Sequence, residues 1–362
     1  MLMSNVTEEA EMTPVGRRRV LQGAAATLAL PLLVGAATAT ERKTMRAIEV
    51  TAGSGHAYGY SVKTIHFQSR GEAIAGLLFR PTRSDPAPGI VVLGPFGFVK
   101  EQAPMQYATR LARDGYAVLI FDPRYSGESE GTPRRLESPS AKIIDTISAL
   151  DWLTAQPGVD RARLAALGVC QGASEMIAVT AADKRVRALA LVSGQYLYRE
   201  NLQGFFAGGG PTLDDRVARG QAAKARFAAT GVVDYIPVVS PGDKAAGLPW
   251  PPIHDWYQPW TTAKWGAPSR WENRYATMSD AEVWTFDVAA HAAKVTVPTL
   301  LVHGEQSDGG VAAVRHAHAH LAAKDKRLVV VDGVFHTRFY DDPIVVDPAA
   351  AEVAAWFDQH LA

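Results

Sequence analysis

Short apolar runs alternate with longer amphipathic stretches along most of the chain. The runs are SVKTIHFQ, AIAGLLFR, GIVVLG, AVLIFD, RLAALGV, VRALALVS, PTLLVHG and KRLVVVDG. Their continuous valine, isoleucine and leucine content is typical of strands buried on both faces of a sheet. Between them, stretches such as APMQYATRLARDG and DPAAAEVAAWFDQHL carry apolar residues at helical spacing. The alternation predicts an α/β protein, with a mostly parallel sheet covered by helices on both faces.

The alternation stops between residues 196 and 285. This segment is rich in proline, tyrosine and tryptophan, and six of the eight tryptophans lie between Trp250 and Trp284. Such an insertion between two strands is expected to pack over one end of the sheet. We therefore predict a core of residues 40–195 and 286–362 and an inserted cap of residues 196–285, whose aromatic side chains either fix the cap to the core or line an apolar pocket.

Residues 1–39 have the pattern of an export signal. The run Arg17-Arg18-Arg19 precedes about sixteen mildly apolar residues, and Ala37-Thr38-Ala39 offers a cleavage site of small residues. The segment resembles a twin-arginine signal. The alternative is a membrane anchor, but the apolar stretch is shorter than the roughly twenty residues needed to span a bilayer. We expect a periplasmic or secreted protein with no stable membrane span after processing.

The charge balance and the cysteine content exclude some kinds of partner and of covalent cross-link. The chain has 37 basic and 37 acidic side chains, which disfavours nucleic acid as a partner. With one cysteine, Cys170, an intramolecular disulfide is excluded and a free thiol is available for chemistry. The oligomeric state is left open.

Cys170 lies in the run Gly168-Val169-Cys170-Gln171-Gly172, between the strand RLAALGV and a helical stretch. This is the G-x-nucleophile-x-G pattern in the context that the pattern requires, a sharp turn from strand to helix. The two flanking glycines leave room for the close approach of strand and helix at such a turn. We predict that Cys170 is a nucleophile.

A second run, Gly127-Glu128-Ser129-Glu130-Gly131, matches G-x-S-x-G formally. It begins several residues after its strand and leads into turn residues rather than a helix. Two glutamates beside Ser129 would also oppose the negative charge that develops on an attacked carbonyl. Ser129 is therefore rejected as the nucleophile.

A thiol nucleophile needs a base and a group that orients the base. Asp308 and His336 each follow a predicted strand, so both are expected at the sheet edge where α/β proteins place their ligands. The order nucleophile, acid, histidine is that of α/β-hydrolases. Glu305 competes with Asp308 as the orienting acid. An ion pair with His336 would lower the pKa of Cys170 below its usual value of about 8.5.

Acyl transfer also needs two backbone donors for the oxyanion. One is expected from the amide of Gln171, just past the nucleophile. The other is expected from the loop of residues 94–98, GPFGF, which we call the oxyanion loop. Because Pro95 has no amide hydrogen, Phe96 is the first plausible donor there.

Nearly the whole mature chain resembles bacterial α/β-hydrolases that are similar to dienelactone hydrolase. The resemblance is carried by GPFGFVKEQ, FDPRYSGESEG, GVCQGA, GEQSD and GVFHTRFYD. It implies an α/β-hydrolase fold, a catalytic set of Cys170, Asp308 and His336, and ester or lactone hydrolysis without a cofactor. Dienelactone hydrolases are smaller, lack the tryptophan-rich insertion and keep a glutamate near the oxyanion loop, whereas this loop has no acid before Glu101.

The sequence therefore predicts a hydrolase of small apolar esters, lactones or thioesters. Two alternatives are a redox-sensing thiol protein, which would usually need a second cysteine, and a catalytically silent protein that binds a ligand under the cap. The histidines at 316, 318 and 320 are not expected to bind a metal, because only His316 and His320 share a helix face. His254 in the cap is interpreted as a loop residue, with contact to the substrate as the alternative.

Overall fold

A computed structural model describes residues 59–262 and 270–362. The predicted export signal, residues 1–39, lies outside this part of the chain. Among the described residues, no helix has both the length and the apolar character needed to cross a bilayer.

Among the described residues, the core is an eight-stranded sheet in the order β1-β2-β4-β3-β5-β6-β9-β10. Strand β2 pairs antiparallel with β1 and β4, and the other pairs are parallel. All eight apolar runs singled out in the sequence form strands of this sheet, which confirms the predicted mostly parallel α/β architecture. The strands are β1 (Tyr60–Ser69), β2 (Glu72–Pro81), β3 (Ala87–Leu93), β4 (Ala117–Phe121), β5 (Val159–Val169), β6 (Val186–Val192), β9 (Thr299–Gln306) and β10 (Lys326–Phe335).

Helices cover both faces of the sheet. Alternate residues of β3 enter two separate apolar clusters: Ile90 and Val92 belong to one, and Val91 and Leu93 to the other. Such alternation is the period of two that a strand imposes on its side chains. The first cluster includes side chains of α1 (Ala103–Arg113), α10 (Arg338–Asp341) and α11 (Pro343–His360). The second includes side chains of α2 (Pro139–Thr154), α3 (Gly172–Ala182) and α9 (Gly310–His320).

Between β6 and β9, the described residues form helices and a two-stranded antiparallel ribbon that does not join the main sheet. Its elements are α4 (Arg199–Phe205), α5 (Leu213–Thr230), β7 (Tyr235–Ile236), α6 (Pro251–Tyr257), β8 (Tyr275–Ala276), α7 (Asp280–Val283) and α8 (Ala289–Ala292). We keep the name cap for residues 196–285. Buried aromatic side chains of the cap, among them Trp256, Tyr257 and Trp284, lie in the same apolar cluster as Cys170. The cap is therefore continuous with the core on the face that includes Cys170.

Candidate active site

Cys170 occupies a strained turn between β5 and α3. Its φ angle is +57°, in the left-handed region that residues with a side chain rarely adopt. A Cβ atom at Gly168 would lie 2.4 Å from the carbonyl oxygen of Gly172, and one at Gly172 would lie 2.5 Å from that of Leu93. Both positions therefore require glycine. The turn has the geometry expected of a nucleophile elbow, and the role of Cys170 as nucleophile stays a prediction.

Burial dominates the chemistry of the thiol. Cys170 is 5% exposed, and desolvation raises its pKa to about 12, with the nearby charge of Asp308 acting in the same direction. The Tyr340 hydroxyl and the backbone amides of Gln171 and Phe96 act in the opposite direction and lower the pKa of the thiol. The expected low pKa is therefore wrong, because the loss of solvation outweighs these groups.

The two backbone amides predicted to form an oxyanion hole both act on the sulfur of Cys170. They come from different elements: Gln171 immediately precedes α3, and Phe96 lies three residues after β3. The Phe96 ring is fully buried, stacked on Trp284 at 5.8 Å and edge-on to Tyr275 at 5.1 Å. The structure thus brings together the thiol and both predicted donors.

His336 directly follows β10 and is 3% exposed. Its Nδ1 atom lies 2.9 Å from the Ser193 hydroxyl and accepts a hydrogen bond of 3.3 Å from the backbone amide of Asp308. Desolvation lowers the pKa of His336 to about 3, with a further contribution from nearby His303. The imidazole is therefore neutral at rest, and Cys170 and His336 form no ion pair before substrate arrives.

The carboxylate of Asp308 is held by the Gln195 side chain and the Gly309 amide, both of which lower its pKa. Desolvation has the larger effect and raises the pKa of Asp308 to about 7. The competing acid, Glu305, is exposed and accepts a hydrogen bond of 2.9 Å from the Gly333 amide. Of the two candidate acids, Asp308 is the one whose backbone contacts His336, although its carboxylate takes other partners.

Tyr340, which was not predicted as a site residue, interacts through its hydroxyl with the thiol of Cys170. Its ring lies 5.4 Å from that of His336 and 4.8 Å from that of Trp256 in the cap. A signal was present, since Tyr340 follows His336 by four residues, and this spacing places two side chains on one side of a helical turn. Ser193 was also missed, because nothing in the run after β6 marks it as a partner of a distant histidine.

A buried charged cluster lies behind the oxyanion loop. The Glu137 carboxylate contacts the Lys142 ammonium and accepts a hydrogen bond of 3.0 Å from the Gly97 amide. Glu175, on α3, lies 3.7 Å from Lys142, and desolvation raises the pKa of Glu175 to about 8. The oxyanion loop therefore does contact an acid, supplied from 40 residues further along the chain.

Glu101, the first acid after the oxyanion loop in the sequence, pairs with Lys100 at 2.9 Å.

Ser129 has a structural role. Its hydroxyl donates to the Asp122 carbonyl at 2.6 Å and accepts from the Ala75 amide at 2.9 Å, while Ser129 itself is 2% exposed. These bonds tie the loop after β4 to β2. They account for Ser129 without a catalytic role.

The remaining histidines have ordinary neighbours. His316 and His320 lie on one face of α9 beside Tyr198. Within residues 59–262 and 270–362, no group of three potential metal ligands is found. His254 was expected in a loop but lies in α6, where its Nδ1 atom is 3.2 Å from a carboxylate oxygen of Asp255.

The fold and sequence are similar to those of several known proteins. The protein PA2218 of Pseudomonas aeruginosa is 30% identical over 95% of this chain and 96% of its own length. Its crystal structure superposes with a TM-score of 0.70 at 27% identity, covering 84% of this chain and 94% of that one. The α/β hydrolase GrgF from Penicillium sp. has a TM-score of 0.67 at 20% identity, over 83% of this chain and 99% of its own.

A shorter match covers the thiohydrolase AneE of Aspergillus aculeatus, which is 37% identical over 29% of this chain and 33% of the fungal protein. The curated name of GrgF is polyketide transferase. A sequence profile of the family described as X-Pro dipeptidyl-peptidase (S15 family) matches residues 71–337, a range that includes Cys170, Asp308 and His336. Because this profile matches well over half of the chain, the protein belongs to the S15 family and has an α/β-hydrolase fold.

Proposed function

We propose that this protein cleaves small apolar thioesters, esters or lactones through an acyl-enzyme intermediate on Cys170. The proposal is carried by one observation: the thiol sits at a left-handed turn where the amides of Gln171 and Phe96 both act on its sulfur. Donors placed in this way are suited to stabilise the oxyanion that forms when a carbonyl is attacked. In this proposal His336 is the general base and Asp308 supports it.

The reaction proceeds in two balanced steps. As the bond between Sγ of Cys170 and the carbonyl carbon forms, the thiol proton passes to the neutral imidazole of His336. The oxyanion then collapses, and the thiol or alcohol leaves with that proton. Water next attacks the thioester of Cys170, gives a proton to His336 and releases the acid, and His336 returns the proton to the thiol. Since both groups are neutral at rest, proton transfer accompanies the attack instead of preceding it.

The identity of the nucleophile favours esters and thioesters over amides. S15 peptidases normally use serine, whereas the G-x-nucleophile-x-G run of this chain carries Cys170. A thiolate leaves a tetrahedral intermediate more readily than an amine does, so attack on an amide tends to reverse. A thioester or activated ester has a leaving group that competes with Cys170. The names thiohydrolase and polyketide transferase, given to two relatives, support this choice.

We further propose, from the pattern at residues 1–39, that the protein acts after export to the periplasm or beyond.

Turnover of p-nitrophenyl butyrate and butyryl-N-acetylcysteamine by wild type and Cys170→Ala tests the proposal. Loss of the nucleophile should lower turnover by about 10³-fold or more with little change in the melting temperature. Ser129→Ala is the matched control, since it removes the serine of the other G-x-S-x-G run. Folded Ser129→Ala should keep wild-type turnover. Full activity in Cys170→Ala would refute the proposal.

The family match favours a second candidate, a peptidase that releases X-Pro dipeptides. Hydrolysis of Gly-Pro-p-nitroanilide at a rate above that of the butyryl substrates would favour this candidate. Stoichiometric oxidation of Cys170 by peroxide, without turnover of any ester or amide, would instead favour a redox-sensing thiol.

A further inference from the structure

The peptide group between Phe96 and Gly97 is hydrogen-bonded at both ends. Its carbonyl oxygen accepts a bond of 2.9 Å from the Tyr257 hydroxyl, which the cap supplies at the end of α6. Its N–H group donates a bond of 3.0 Å to Glu137, which the core supplies just before α2. Two parts of the chain that are far apart in sequence thus hold one peptide of the oxyanion loop.

Loss of either hydrogen bond to this peptide would be costly, because the groups involved are buried. Phe96, Tyr257 and Glu137 are all buried, so a group that lost its partner would find no water to replace it. The next carbonyl, that of Gly97, accepts a further bond of 2.9 Å from Nε1 of Trp271 in the cap. Lys142 in turn contacts Glu137 and fixes the carboxylate. The oxyanion loop is therefore held from the cap on one side and from the buried charged cluster on the other.

The loop would have alternative conformations without these contacts. Gly97 has a φ angle of +61°, and a glycine can leave this region at little cost. A rotation of the peptide that follows Phe96 changes the ψ angle of Phe96 and allows the residue to shift, which would move its amide away from the sulfur of Cys170. A displacement of about 1 Å at a reacting centre can cost as much as 10²-fold in rate.

We infer that Tyr257 and Glu137 are positioning residues that hold the Phe96 amide in the oxyanion hole, so that the hole is complete only while the cap contacts the loop. The inference rests on the proposed function, since it concerns the donors of the same reaction. It assigns the cap a part in catalysis in addition to any part in substrate binding.

Tyr257→Phe tests the cap side of this arrangement, because it removes a hydroxyl and keeps the ring. We expect kcat for p-nitrophenyl butyrate to fall about 10- to 100-fold with KM changed less than about threefold. The affinity of a short-chain trifluoromethyl ketone, whose adduct with Cys170 carries the same oxyanion, should fall by the factor seen in kcat/KM. If the Tyr257 hydrogen bond served only to attach the cap, the inhibitor affinity and kcat/KM would not fall by the same factor.

Tyr275→Phe is the matched control. Tyr275 is also a buried tyrosine of the cap and contacts the Phe96 ring, but its hydroxyl donates to Asp280 at 2.7 Å. It should lower the melting temperature to a similar extent as Tyr257→Phe while kcat and the inhibitor affinity stay within about threefold of wild type.

The core side is tested with two variants of Glu137. Glu137→Gln keeps an oxygen that can accept the bond from Gly97, and Glu137→Ala removes it. Glu137→Gln should therefore retain more of the wild-type kcat than Glu137→Ala does, at equal KM.

The outcomes separate the inference from the proposed function. If Cys170→Ala is inactive but Tyr257→Phe and Tyr275→Phe have equal kcat and equal inhibitor affinity, the inference is overturned and the proposed function stands. If Cys170→Ala keeps full activity, both fall. A selective loss of kcat and inhibitor affinity in Tyr257→Phe and Glu137→Ala supports the inference.

Discussion

The backbone amide of Asp308, rather than its carboxylate, contacts Nδ1 of His336, at 3.3 Å. The carboxylate interacts with Gln195 and Gly309 close by. The Ser193 hydroxyl supplies the second contact to Nδ1, at 2.9 Å. The orientation of the imidazole is thus set by a backbone group and a hydroxyl, and the carboxylate can act on the imidazolium of the transition state through its charge.

We expect the pH dependence of kcat/KM to follow the ionisation of Asp308. Because the pKa of Asp308 is raised to about 7, its carboxyl is neutral below that pH and charged above it. Only the charged form stabilises imidazolium, so kcat/KM should rise as the pH increases through about 7. The low pKa of His336, about 3, keeps its own titration well below this range. In Asp308→Asn the rise should disappear, and kcat/KM at pH 8 should fall by about 10²-fold or more.

Glu305→Gln is the control for that experiment. Glu305 is exposed and bonded to the Gly333 amide, so the variant should keep both the rise near pH 7 and the wild-type rate. A rise that persists in Asp308→Asn and vanishes in Glu305→Gln would assign the acid to Glu305.

Local features of this site could be predicted from the sequence, and features that depend on distant contacts could not. The elbow at Cys170 needs a strand, two glycines and a helix within a short run, and all are visible in the sequence. Phe96 followed from the missing amide hydrogen of Pro95. By contrast, the Tyr257 bond to Phe96 joins residues 161 positions apart. The spacing of polar residues in the sequence does not predict such a contact.

The pKa of Cys170 likewise could not be predicted from the sequence. The sequence suggested an ion pair with His336 and a low pKa, since both residue types and the helix after the elbow were evident. Both groups are buried, and the loss of solvation raises the pKa of Cys170 and lowers that of His336. Burial of this kind depends on how distant parts of the chain pack together, which periodicity does not reveal.

Alkylation of Cys170 provides a direct measurement. With a thiol pKa of about 12, the iodoacetamide rate should rise about tenfold per pH unit from pH 7 to pH 10 without reaching a plateau. Tyr340→Phe removes a hydroxyl that lowers this pKa, so alkylation at each pH should become slower. Tyr275→Phe, whose hydroxyl is bonded to Asp280, should leave the profile unchanged. A plateau below pH 8 in wild type would show that Cys170 is a thiolate at neutral pH.

Trp256 joins the cap to the site. Its ring lies 4.8 Å from that of Tyr340, whose hydroxyl interacts with Cys170, and 4.8 Å from that of Tyr257. Removal of the indole should open apolar space beside these two tyrosines. We expect Trp256→Ala to prefer longer acyl chains than wild type does, as measured by kcat/KM over p-nitrophenyl esters from acetate to decanoate.

The size of the shift follows from the burial of methylene groups. Each additional methylene that enters an apolar pocket contributes about 0.8 kcal/mol, or roughly fourfold in kcat/KM, until the pocket is full. Trp256→Ala should therefore continue to gain at chain lengths where wild type has reached its plateau. Trp152→Ala is the control, since Trp152 lies in α2 and packs on Phe67 at 6.4 Å, in the other apolar cluster. Trp152→Ala should have a lower melting temperature, and its kcat/KM should reach a plateau at the same chain length as in wild type. If the two variants differ from wild type only in stability, the tryptophan of the cap serves as an anchor, and selection of the acyl chain falls to other residues around Cys170.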